Sequence, residues 1–119
     1  ELVRQRLNFF ITDAVPAGDA TLGLAGAAFI LQDHAPIYAW LEENLAALEA
    51  KLPSYVPPLL PLGMQNACND ANLALLREFF EPRGEKYAAS LEKATETIED
   101  CIRKKAREGE GLRAFLGQP

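Results

Sequence analysis

The chain has 119 residues, 49% hydrophobic and 24% charged, with 12 basic against 17 acidic side chains and a net charge of −5. That length suits one compact domain, or a slice of a larger helical array, burying roughly two-thirds of the unfolded surface on folding. The apolar fraction excludes intrinsic disorder, the acidic balance excludes nucleic-acid binding through a basic face, and no uninterrupted apolar run approaches the ~20 residues of a membrane span.

Residues 1–12 already place Leu7, Phe10 and Ile11 at helical spacing, so the chain starts inside a periodic segment, as a fragment of a longer protein does. No targeting leader is visible. Asp13–Gly18 is a turn, because Pro16 restricts φ and Gly18 frees it. Asp19 then opens a helix to Leu31 with no internal charge, which marks an interior helix packed on both sides. Gly23 and Gly26 cost it about 1 kcal/mol each relative to Ala, and are expected to admit a neighbouring helix closely.

Gln32–Ala35 is a connector in which Asp33 is the expected N-cap and Pro36 sits where its missing N–H costs nothing. Ile37, Leu41, Leu45, Leu48 and Leu52 then recur every three or four residues in a helix ended by Pro53. Ser54–Pro61 is proline-rich and leads to a short irregular helix over 59–67. Asn69 caps a helix over 71–80, which stops at Glu81-Pro82-Arg83-Gly84. A long helix follows over about 85–107, interrupted at Glu108–Gly111 before a final turn with Leu112, Phe115 and Leu116. No segment alternates with period two. The expected class is all-α.

The chemistry-bearing residues are few. His34 is the only histidine; in a connector beside a helix start it is expected at the surface or in a cap, with no nucleophile or metal partner assigned to it. Cys68 and Cys101 are too few for a disulfide framework, and with one histidine they cannot complete a four-ligand zinc site. Cys101 lies on an apolar stripe and reads first as a small buried hydrophobe; a bridge to Cys68 is the alternative, which spacing alone does not decide. Glu96 lies just off that stripe and is expected to cap or pair with a neighbouring helix. Trp40, Phe79 and Phe80 read as core anchors rather than stacking platforms. Arg103, Lys104, Lys105 and Arg107 form a basic cluster blunted by nearby acids, with i,i+4 pairs expected from Glu99 to Arg103 and from Asp100 to Lys104. No HExxH and no phosphate-cradling loop occurs. No catalytic, cofactor-binding or metal-ligating residue is therefore assigned within the chain.

The order of these features resembles the C-terminal helical domain of M1-family zinc aminopeptidases, of the puromycin-sensitive and endoplasmic-reticulum type and their bacterial relatives. The similarity is densest over residues 71–116: a helix ending in Phe79-Phe80, a turn with Pro82, a helix carrying Leu91-x-x-x-x-Glu96-x-Ile98, and a terminal segment with Leu116. The N-terminal part is similar to the preceding repeat, in which an Asp opens a helix and a Trp follows about twenty residues later, as Asp19 and Trp40 do here. Two stretches depart from the pattern. QDHAPI replaces an Asn-Pro-x-Gly turn, and SYVPPLLPLG is unusual within such a domain.

The resemblance implies an α-α superhelix of stacked antiparallel helix pairs, of HEAT/armadillo type, with about six or seven helices over residues 1–119. It also implies a noncatalytic lid or scaffold that encloses the peptide cleft of a zinc enzyme. The zinc and its ligands would lie on an absent catalytic domain, and that domain and the peptide substrate would be the partners. A repeat array opened at its N-terminal end exposes an apolar face, so the fragment is expected to form a homodimer or to be marginally stable alone. A free-standing helical-repeat module that binds a partner helix or peptide is the alternative. Compartment and peptide preference stay open.

Overall fold

The structure is a computed structural model that describes residues 5, 7, 8 and 25–117. All regular structure among these residues is helical. Residues 25–30 are helical, and four α-helices follow: α1 (Ala35–Lys51), α2 (Leu60–Gly63), α3 (Asp70–Phe80) and α4 (Ala88–Leu116). Three 3-10 turns join them, at Pro57–Leu59, Glu81–Arg83 and Glu85–Tyr87. Five helices, besides the helical residues 5, 7 and 8, thus stand among the described residues where six or seven were expected. The turn at 13–18 and the helix start at Asp19 lie outside the described residues, as do Phe10 and Ile11.

Local chemistry explains each boundary. Pro36 occupies the first turn of α1, and the Asp33 carboxylate accepts from the Ala35 N–H at 3.0 Å. The capping position itself belongs to His34, so Asp33 acts one residue earlier than expected. Leu52 closes α1 in an extended conformation, as the residue before Pro53 must. The helix expected over 59–67 gives way to one 3-10 turn and one α turn, with Pro57, Pro58 and Pro61 in their first turns, where proline can start a helix but cannot sit within a longer one. Asn69 caps α3 as expected, its side chain accepting from the Asn72 N–H at 2.8 Å.

The turn between α3 and α4 is closed by two local devices. Gly84 has φ +98°, a backbone state that strains any residue with a Cβ. Arg83 donates from Nη1 to the Phe79 carbonyl and lies 3.8 Å above the Phe79 ring centroid, combining a C-terminal cap with a cation–π contact.

The register of α3 on α4 follows from its two ends. At one, the rings of Phe80 and Tyr87 lie 5.0 Å apart. At the other, Cys68 is disulfide-bonded to Cys101 with a Cα separation of 5.3 Å. Residues 70–80 and 88–101 therefore run antiparallel as one hairpin. The bridge overturns the first reading of Cys101 as a free buried thiol. Sequence periodicity placed it on the inner stripe of α4 but carried no information about what the loop before Asn69 would bring opposite.

Helix α1 runs in the same sense as α3. Its start meets Asn72 through His34, Tyr38 meets Phe79 and Phe80 further along, and Glu49 near its end meets Lys86 and Tyr87. Residues 52–69 must therefore return the chain, and they do so inside the core: Leu60 and Met64 are buried, and α2 packs on α4. Trp40, Leu41, Leu76, Phe80, Ala94 and Ile98 complete that core. Tyr38, Phe79, Phe80 and Tyr87 form an aromatic chain with centroid spacings of 4.9–6.4 Å. Each such pair contributes about 0.5–1.5 kcal/mol beyond burial.

Two expectations about glycine fail. Among the described residues nothing lies within 4 Å of where a Gly26 side chain would begin, so none of their helices presses on it, and Gly23 lies outside them. Helix α4 also runs unbroken through Gly109 and Gly111 to Leu116. Both glycines remain at negative φ, and without proline the ladder loses propensity but no hydrogen bond.

Closing the 33-residue span between Cys68 and Cys101 removes loop entropy from the unfolded chain worth about 3–4 kcal/mol in the chain-entropy model. Reduction, or Cys68→Ser with Cys101→Ser, is expected to lower stability by that amount and the melting temperature by roughly 10–20 °C. Differential scanning calorimetry with and without reductant measures it.

Candidate functional site

The residues singled out from sequence do not converge. His34 occupies the capping position of α1, one of the two places expected for it, but it is buried there rather than at the surface. Its Nε2 lies 2.7 Å from the Ala28 carbonyl and, facing an acceptor, carries the ring proton. Its Nδ1 is buried without a partner among the described residues. No cysteine thiol remains for it to activate, since Cys68 and Cys101 are bridged. Glu96 is exposed and makes no capping or pairing contact with another helix among the described residues, contrary to expectation. Trp40, Phe79 and Phe80 are core, as expected, with the Trp40 indole N–H donating to Asn8 Oδ1 at 2.6 Å.

A residue with no sequence signal is the polar hub. Asn72 receives the His34 backbone N–H on Oδ1 at 3.0 Å and donates from Nδ2 to the Gln32 carbonyl at 2.8 Å. It thereby ties the connector between residues 25–30 and α1 to the start of α3. A helical asparagine one turn after another asparagine looks like a second cap; only the tertiary placement of residues 32–34 turns it into a cross-link.

Beside the 2.9 Å Arg77–Glu81 pair at the end of α3, two clusters of charge shift pKa values. Glu49 accepts from Lys86 Nζ and from the Tyr87 hydroxyl, the latter at 3.1 Å. The bond to Glu49 raises the Lys86 pKa, and burial first, then Glu49, raises that of Tyr87. On α4, Lys104 and Arg103 both bind Asp100 at 3.3 Å, and Lys104 leads in holding that carboxyl below its ordinary pKa. The Asp100–Lys104 pair is the one expected; Arg103 chooses Asp100 over Glu99.

The concave surfaces are shallow. An open groove of about 600 Å³ lies beside the disulfide, lined by Phe29, Ile30, Asn66, Thr97 and Lys105 among others. Among the described residues no group of three or more His, Cys, Asp or Glu is placed to hold a metal ion, and no helix is long and apolar enough to cross a membrane. The most distinctive surface is the end of α4. Residues 103–116 are exposed almost throughout and carry Arg103, Lys104, Lys105 and Arg107 together with Leu112, Phe115 and Leu116. The arrangement offers contact surface and charge rather than a reacting centre. The chain matches no family profile, no curated protein and no solved structure.

Two substitutions test the polar interior. Asn72→Ala removes both cross-links and strands the His34 N–H and the Gln32 carbonyl, an expected loss of about 2–4 kcal/mol by urea denaturation. Tyr38 has a buried hydroxyl without a partner among the described residues, and burial pushes its pKa up. The fold thus favours the neutral phenol. That contribution is complete below about pH 10, where an unfolded tyrosine ionises, and declines as pH rises further. Tyr38→Phe is expected to leave stability at pH 7 unchanged or raised by about 1 kcal/mol and to flatten its fall above pH 10, measured by denaturation across that range.

Proposed function

We propose that this chain is the C-terminal helical part of an M1-family zinc aminopeptidase, a noncatalytic scaffold that helps enclose the peptide-binding cleft of a catalytic domain on the same parent protein. The observation that carries the reading is where the resembling residues sit. Phe79, Phe80 and Ile98 are buried in the hairpin of α3 and α4, Leu91 is half-buried beside them, and Pro82 lies in the turn that reverses the chain. A hairpin of that kind is the unit from which a HEAT/armadillo-type superhelix is stacked, each pair burying one face on its neighbour and leaving another free. Zinc chemistry would belong to the catalytic domain, and peptide would be the ligand of the shared cleft. The Cys68–Cys101 bridge adds that the parent would work in an oxidising compartment, where disulfides persist.

A free-standing interaction module is the second reading. It is favoured by Leu112, Phe115 and Leu116, which are 58%, 72% and 70% exposed at the end of α4. Sequencing the transcript upstream of Glu1 separates the two. An open frame encoding HExxH and a further Glu ligand is expected, the pattern that binds zinc through two histidines one helical turn apart. An in-frame stop codon immediately upstream would remove the catalytic partner and leave the module.

A further inference from the structure

Beyond the disulfide, α4 leaves the body of the protein. Residues 103–116 extend about 21 Å at 1.5 Å per residue, with almost every side chain exposed. Helices of about a dozen residues without tertiary contact are marginal in water, and Gly109 and Gly111 weaken this one further. Its tip nonetheless gathers Leu112, Phe115 and Leu116 at i, i+3 and i+4, one apolar face. Its charge also opposes that of the rest. Residues 103–116 carry five basic and two acidic side chains, net +3; the other residues carry seven basic and fifteen acidic, net −8.

A complementary surface exists on the same chain. The outer face of α1 exposes Ala35, Ala39, Ala46 and Ala50, with Glu42 along one margin. Alanine lets a second helix axis approach to about 8 Å, the close end of the range for packed helices. At 17 residues α1 is about 25 Å long, a match to the projecting part of α4. The tail cannot reach this face within one molecule. Cys101 is pinned beside Cys68, next to the start of α3, where Asn72 holds His34 at the start of α1. Since α1 and α3 run together and α4 runs against them, the tail continues past the beginning of α1 and away from it.

We infer that the distal half of α4 docks on the alanine face of α1 in a second copy of this chain, reciprocally, forming a two-fold dimer. The apolar triplet supplies the knobs, the alanines the flat seat, and Arg and Lys side chains meet the Glu42 margin. An interface that uses the same two patches on both copies closes on itself. The inference stands apart from the aminopeptidase reading, because both surfaces belong to this chain.

Sedimentation velocity on the oxidised 119-residue chain, across a wide concentration range and at low and high salt, tests it. A monomer–dimer equilibrium that weakens with salt is expected. Phe115→Glu on the tail and Ala46→Arg on the seat are each expected to raise the dissociation constant at least about tenfold with thermal midpoints unchanged. Mixing the two variants is expected to recover association, since the intact tail of one meets the intact seat of the other. Should either variant lose its thermal transition, Leu112→Lys and Ala39→Arg take their places. A wild-type chain that stays monomeric, a dimer indifferent to Ala46→Arg, or variants that fail to associate on mixing would each overturn the inference.

Discussion

The antiparallel register of α3 on α4 is the constraint from which the remaining geometry follows. Two contacts of different chemistry set it, the Phe80–Tyr87 ring pair at the turn and the Cys68–Cys101 bridge at the open end. A helix pair held at only one end can splay or slide by a turn, because ridges and grooves repeat every three or four residues. Held at both, it presents one fixed surface. The returning segment packs Leu60 and Met64 into that surface from the α4 side, while α1 brings Tyr38 against Phe79 and Phe80 from the other.

The same register explains why α1 lies parallel to α3. A short connection after Lys51 would have reversed the chain and made an antiparallel neighbour. Instead, Pro53, Pro57, Pro58 and Pro61 keep the backbone from propagating a long helix, so residues 52–69 cross back along the core before Asn69 starts α3. The proline-rich stretch, out of place by comparison with a regular helical repeat, is the part of the chain that makes this arrangement reachable. Its cost in lost backbone donors is limited because Pro57 and Pro61 stand in the first turns of their short helices, where those donors would go unpaired.

What could be read in the sequence was what depends on neighbours along the chain. Periodicity located α1, α3 and α4; Asn69 and Pro53 marked boundaries; Trp40, Phe79 and Phe80 were recognisable as core by size and spacing. What escaped depends on partners distant in sequence. Nothing near His34 signals that the Ala28 carbonyl and Asn72 will enclose it, and a connector histidine otherwise belongs in water. Nothing in a separation of 33 residues shows that two cysteines will face each other. The break expected at Glu108–Gly111 failed for a local reason: two glycines lower helix propensity without removing a hydrogen bond, so Arg107 and Leu112 remain on one continuous helix.

No side chain among the described residues combines burial, a free nucleophile and an oriented base. His34 faces a carbonyl and both cysteines are spent on the bridge, while Glu49, Glu81 and Asp100 bind lysine, arginine and tyrosine in ordinary structural pairs. The chain's investment is in rigidity and in two outward surfaces, an alanine face flanked by acid and a basic rod with an apolar tip. The disulfide stands where α4 leaves the core, so the helix beyond Cys101 starts from a fixed point.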